Sequence, residues 1–84
     1  MKKYIQLDKE DNVVVAVTPF EKDDIIELGE TKIKILSEVP VGHKIAVKNI
    51  RQKESVIKCG LMVGLALVNI SAGEHVHIHN VAAE

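Results

Sequence analysis

The chain has 84 residues, of which 46% are apolar, with eleven basic side chains, twelve acidic ones and four histidines, giving a net charge near −1. That length predicts a single domain over 1–84 with a modest core, large enough to fold without staples. Near-neutral charge excludes a nucleic-acid binder that works through bulk positive charge, and no apolar run approaches the length of a membrane span.

With one Phe, one Tyr and no Trp, the core must come from Val, Ile, Leu and Ala, and the β-branched members favour strands. The charge is unevenly spread. Residues 1–38 carry six lysines against nine carboxylates, whereas residues 39–84 carry five basic groups against three acidic ones and hold all four histidines. The second half is thus mildly cationic, which suits a small carboxylate ligand better than DNA. Cys59 has no partner for an internal disulfide and reads as a small buried hydrophobe. No secretory leader pattern opens the chain, so a cytoplasmic address is expected.

In chain order, Ile5-Gln6-Leu7 is a short extended piece, followed by a polar turn from Asp8 to Asn12. Val13 to Val17 is a strand closed by Thr18-Pro19. Phe20 to Asp24 reads as a loop or one helical turn. Ile25 to Leu28 is a strand stopped by Gly29, and Thr31 to Ile35 alternates polar and apolar as a half-buried antiparallel strand does. Pro40 to Gly42 breaks the chain before an extended stretch from His43 to Lys48. Arg51 to Glu54 is turn-like, Ser55 to Lys58 is a short strand, and Gly60 punctuates it. Met62 to Val68 is apolar around Gly64, where a bulge or a close backbone approach is expected. Ser71-Ala72-Gly73 is a turn. Seven or eight strands spaced roughly eight to twelve residues apart predict a small all-β barrel or sandwich with little helix. No internal repeat stands out.

The segment Gly73-Glu74-His75-Val76-His77-Ile78-His79-Asn80 carries the chemistry. As a strand it sends His75, His77 and His79 to one face and Val76 and Ile78 to the other. Successive imidazoles then lie about 6.6–6.8 Å apart along the axis, and two can converge on one ion through bonds of about 2.1 Å. His75 and His79, about 13 Å apart, cannot complete the set. The strand therefore offers a two-imidazole half-site at His75 and His77, and its structural alternative is a surface face with ordinary hydrogen bonds. His43 and Lys44 follow a Pro-x-Gly turn. Lys58 and Asn69 read as solvated.

Pro40-Val41-Gly42-His43-Lys44-Ile45-Ala46, Val56-Ile57-Lys58-Cys59-Gly60, Gly64 with Ala66, and Gly73 to Asn80 fall in the order seen in one family. The upstream Asp11-Asn12-Val13-Val14-Val15-Ala16 fits its first strand. Over roughly residues 8–81 the chain resembles the SAF domain that opens altronate and galactarate dehydratases. It departs at Lys53 and Cys59, where the family usually carries a glycine and an aromatic residue; Lys53 suggests a different turn. The resemblance implies a β-clip fold, compact and built of long hairpins. It also implies the role of a freestanding small subunit of a sugar-acid dehydratase or related lyase, similar to the small chain of a two-subunit sulfolactate sulfo-lyase.

On that reading a large catalytic subunit is the partner, with further copies of this chain also expected, and the isolated chain is inactive. His75 and His77 face a shared active site as metal ligand or general acid. His43 and Lys44 meet the substrate carboxylate, and Glu74 orients a histidine from behind. A divalent ion, iron or manganese, completed by the partner, stabilises the enediolate formed as water leaves. The alternatives are a non-catalytic carbohydrate- or anion-binding module of the same fold, and metal handling by the histidine run alone.

Overall fold

The computed structural model describes residues 2–83. Nine short strands are present in chain order: β1 Tyr4–Ile5, β2 Val13–Ala16, β3 Ile25–Leu28, β4 Thr31–Lys34, β5 Lys44–Ala46, β6 Ser55–Lys58, β7 Leu61–Ala66, β8 His75–Val76 and β9 Val81–Ala83. All pairings are antiparallel, and they group as β1-β2-β5-β8, β3-β4 and β6-β7-β9. No helix occurs among the described residues. The all-β expectation holds, in the form of a β-clip: two hairpin arms, β3-β4 and β6-β7, leave a central sheet and return to it.

The fold contains a duplication that the sequence does not advertise. Shifting the chain by 30 residues lays the β6-β7 arm on the β3-β4 arm. The pairs Glu27↔Lys32 and Leu28↔Thr31 correspond to Ile57↔Met62 and Lys58↔Leu61. Past that point the shift becomes 31, so Ile26↔Ile33 corresponds to Val56↔Gly64 and the bridge Phe20↔Val39 to Ile50↔Ile70. The inserted residue is Val63, left without a partner where the β6-β7 register slips. Such a bulge bends and twists its strand. Hydrogen bonds repeat as well: Gly42 N–H to Ala16 C=O at 2.8 Å matches Gly73 N–H to Ala46 C=O at 2.7 Å.

Each half has its own core. Val14, Ala16, Phe20, Ile26, Ile33, Ile35, Val39, Ile45 and Val47 cluster in the first. Val13, Ala46, Ile50, Val56, Ala66, Ile70 and Val76 cluster in the second. Six members of the second cluster occupy positions equivalent to members of the first. β2 and β5 feed both clusters, since alternate residues of a strand point to opposite faces. Val14 and Ile45 turn one way, Val13 and Ala46 the other.

Asp11 and Asn12 tie the second arm down. Asp11 is fully buried, and its carboxylate accepts the amides of Cys59 and Gly60 at the arm's tip, both at 2.8 Å. The Asn12 side chain accepts from Ile57 N–H and donates to Ser55 C=O. Burial alone would raise the Asp11 pKa, but the amides of Gly60, Cys59, Asp8 and Leu7 outweigh it and hold the carboxyl below its ordinary value.

Two local expectations are corrected. Cys59 is exposed, at φ 58° in the arm's turn, and is not a buried hydrophobe. Lys53 keeps a left-handed φ of 73°, matching Asp23 at 76° in the first half, so the absent glycine has not altered the turn. Of the two alternatives for Phe20 to Asp24 the loop is found, with the Asp24 carboxylate accepting Glu21 N–H. The expectation at Gly64 holds, since a Cβ there would lie 2.5 Å from the Ala82 carbonyl oxygen of β9.

Candidate functional site

The histidine segment is not a continuous strand. β8 ends at Val76, and a turn runs through to Asn80 before β9 begins. Asn80 builds this turn. Only 2% exposed, its side chain accepts His77 N–H at 3.0 Å and donates to His75 C=O at 2.8 Å. An Asn side chain that satisfies backbone groups competes with the sheet ladder in this way. Alternation therefore fails after Val76, which is fully buried, while Ile78 is 82% exposed. The expected division of rings and aliphatics onto two faces is overturned.

The turn nevertheless gathers all four imidazoles. His43, entering β5, stacks on His77 with ring centroids 3.8 Å apart and planes 15° off parallel. Its Nδ1 lies 2.8 Å from His75 Nε2, so one nitrogen donates and the other accepts. His75 and His77 are 5.9 Å apart, and His79 folds back to 4.9 Å from His75, where a straight strand would have kept it out of reach. His43 and His75 meet because Ile45 pairs with His75 and Lys44 with Val76 across β5 and β8.

Burial is the main influence lowering the pKa of both His75 and His77; neighbouring positive charge adds to it. For His75 the neighbours are His79, His43, His77 and Lys44, and for His77 they are His43, Lys44 and His79. Both influences favour the uncharged ring. Lys44 is half-buried, and its pKa is lowered by burial and then by the charge of Lys58.

Beside the cluster opens a pocket of about 170 Å³ lined by Lys44, Lys58, Val63, His77, Ile78 and Val81. Of the site residues expected from the sequence, His77 and Lys44 reach it directly, whereas His43 and His75 stand behind His77. Glu74 does not orient an imidazole directly. Its carboxylate accepts Ser71 N–H at 3.0 Å and the Asn80 side chain at 3.4 Å, acting on the histidines through that residue. Two residues were missed. The sequence reading leaves Lys58 solvated, whereas the structure half-buries it at the end of β6 and places it in the pocket lining. Asn80 closes the turn, and its place four residues before the chain end gave no hint of burial.

Among the described residues no three His, Cys, Asp or Glu side chains are grouped so as to hold a metal ion. The imidazoles stack face to face and His43 and His75 spend a nitrogen each on one another, so this chain alone does not make a metal site.

An all-β chain whose two hairpin arms leave and rejoin a central antiparallel sheet is consistent with an SAF-type β-clip domain. Residues 2–84 match the altronate/galactarate dehydratase SAF domain, and the chain belongs to that family. It is 36% identical over 80 residues to altronate dehydratase of Bacillus subtilis, covering 95% of this chain and 16% of that protein. To the Escherichia coli altronate dehydratase it is 37% identical over 78 residues, covering 93% of this chain and again 16% of the relative. It is also similar to the (2R)-sulfolactate sulfo-lyase subunit alpha of Chromohalobacter salexigens, 38% identical over 50 residues, covering 60% of this chain and 53% of that subunit. The chain thus corresponds to a small part of the altronate dehydratases. No helix among the described residues is long and apolar enough to cross a membrane.

Proposed function

We propose that this chain is the SAF component, acting as a small subunit, of a sugar-acid dehydratase of the altronate or galactarate type or of a related hydroxy-acid lyase. It contributes side chains to an active site shared with a larger catalytic unit. The observation that carries this reading is the stacked, hydrogen-bonded set His43-His75-His77 placed against Lys44 at the wall of a pocket. The isolated chain is inactive on this reading. An exposed apolar strip adjoining the pocket supports contact with a larger unit: Leu61, Leu65 and Ile78 are 68%, 36% and 82% exposed.

Removal of water from a hydroxy acid takes a proton from the carbon beside the carboxylate; the electron pair forms the double bond, and the hydroxyl departs as water after gaining a proton. Lys44 meets the carboxylate. His77, neutral before substrate arrives, is suited to accept a proton, and the incoming negative charge raises its basicity by offsetting Lys44. His43 and His75, sharing one hydrogen between Nδ1 and Nε2, hold the His77 ring against the pocket. The divalent ion expected for this chemistry, iron or manganese, belongs on the larger unit, and no step here runs through it.

The test is reconstitution. The chain is combined with a large dehydratase unit lacking its own SAF domain, and loss of altronate, galactarate and sulfolactate is followed. Activity above that of either part alone, reduced at least tenfold by His77→Gln with an unchanged amide spectrum, is expected. An inactive assembly, or one indifferent to His77→Gln, overturns the reading. A non-catalytic module for carbohydrate acids or other anions is the second reading, favoured by the same pocket. It requires binding without a partner and turnover that ignores every histidine substitution.

A further inference from the structure

Three ion pairs are formed among the described residues, Lys2–Asp24, Lys32–Glu27 and Lys34–Asp23, and all lie in the first half of the chain. Lys44 and Lys58 take part in none of them, yet both are half-buried and both line the pocket. Buried charges are ordinarily paired, and here two like charges share one concavity. No carboxylate among the described residues lines the pocket; Glu74 is bonded to Ser71 N–H and the Asn80 side chain, and Asp11 to the amides of Cys59 and Gly60. The opposite wall, formed by Val63, Ile78 and Val81, is apolar. Val63 is the single unpaired residue of the second arm, at the register slip of β7 against β6, and it lines the pocket together with Lys58 at the end of β6.

We propose that Lys44, Lys58 and His77 form a subsite for a small doubly charged organic acid. One anionic group meets each ammonium, the His77 ring nitrogen donates to one of them, and the carbon chain lies on Val63, Ile78 and Val81. A monoanion would neutralise one lysine and leave the other facing it uncompensated. The inference deepens the function proposed above, resting on this face meeting substrate, and it names the substrate class as a dianion of a few carbons.

The experiment titrates the full 84-residue chain with malonate, acetate and inorganic sulfate at fixed ionic strength, following the side-chain resonances of Lys44, Lys58 and His77 by NMR. Malonate should bind saturably and at least tenfold more tightly than acetate. Lys58→Gln should reduce malonate to the acetate level while leaving the amide spectrum intact. Equal affinity for malonate and acetate overturns the dianion assignment, and sulfate binding as tightly as malonate overturns the organic-acid assignment. Shifts spread evenly over exposed lysines such as Lys32 and Lys53 overturn the subsite. In an active reconstituted enzyme, Lys58→Gln should raise KM for a doubly charged substrate several-fold with kcat retained, and an unchanged KM again overturns it. An inactive assembly whose SAF chain still binds malonate through both lysines removes the catalytic reading and supports the subsite.

Discussion

Gly42 and Gly73 occupy equivalent positions in the two halves, with φ of 84° and 92°, and each donates its amide to the carbonyl that ends a central-sheet strand, Ala16 of β2 and Ala46 of β5. What a side chain would meet differs sharply. A Cβ on Gly42 finds nothing within 4 Å, whereas on Gly73 it runs into the Lys34 carbonyl oxygen, with the carbonyl carbon at 3.0 Å. Gly42→Ala therefore carries only the left-handed backbone cost, about 1–2 kcal/mol. Gly73→Ala carries the same cost and must also displace backbone. That movement weakens Gly73 N–H to Ala46 C=O and Leu36 N–H to Gly73 C=O, at about 1 kcal/mol each. The total of about 3–4 kcal/mol is a large part of the roughly 4–13 kcal/mol available to a domain of this size. At about 4–8 °C per kcal/mol, thermal unfolding should fall by about 4–16 °C for Gly42→Ala and by at least about 12 °C for Gly73→Ala, always more for the latter. Gly73→Ala should also perturb the His75 resonances two residues on. Equal losses in the two variants, measured side by side by circular dichroism, would refute the argument that the neighbouring arm, and not φ, sets the cost at Gly73.

The lowered pKa of His75 and His77 has a definite sign in stability. Below an unfolded value of about 6.5 the denatured chain takes up protons that the folded cluster refuses, so this contribution is fully present above pH 6.5 and is lost as pH falls toward the folded values. Urea midpoints should drop between pH 7.5 and 5, with a shallower slope in His77→Gln; an identical slope in the variant would count against the cluster. Asp11 acts in a lower window, its contribution present above the ordinary carboxylate value and lost as pH falls through the depressed one. Asp11→Asn should lower the melting temperature and selectively cost the Cys59 and Gly60 amides their hydrogen-exchange protection. Lys53→Gly, relieving a left-handed φ of 73°, should stabilise by about 0.5–1 kcal/mol, read as a higher urea midpoint; destabilisation would show that the Lys53 backbone is not strained.

Much of the strand plan was legible because β-branched runs between Gly, Pro and Asp/Asn turns leave few alternatives. Ile25–Leu28 and Ser55–Lys58 fall where the pattern placed them. The histidine strand misled for a physical reason. His-Val-His-Ile-His alternates like a strand, but its fate is set by Asn80, whose side chain supplies the backbone partners that a neighbouring strand would have provided. The duplication escaped notice because burial, not identity, is what the halves share: Phe20 answers to Ile50 and Ile35 to Ala66. Lys58 sits at the end of a short strand where sequence favours exposure, and only the tertiary approach of Val81 and the His77–Ile78 turn makes a pocket around it.

The duplication also accounts for where the chemistry sits. By the repeat, Lys44 and His75 are equivalent residues, as are His43 and Glu74. Each half ends in a turn, with Gly42 or Gly73 at its left-handed position, that delivers a polar pair onto the central sheet. Two such pairs arrive side by side because β5 closes the first half and pairs with β8, which closes the second. A single copy would present one polar pair with nothing opposite. Two copies place His43 against His75, and divergence after β8 then adds the Asn80 turn, which brings His77 over His43. The first half carries ion pairs on its arm, Lys32–Glu27 and Lys34–Asp23, where the second half has Met62 and Ile57, and Leu65 and Lys53, at the equivalent positions. The imidazole cluster thus depends on the junction of the two copies and not on the first arm, and truncating that arm's buried Ile26 to Ala should lower the melting temperature without moving the His43–His75 resonances.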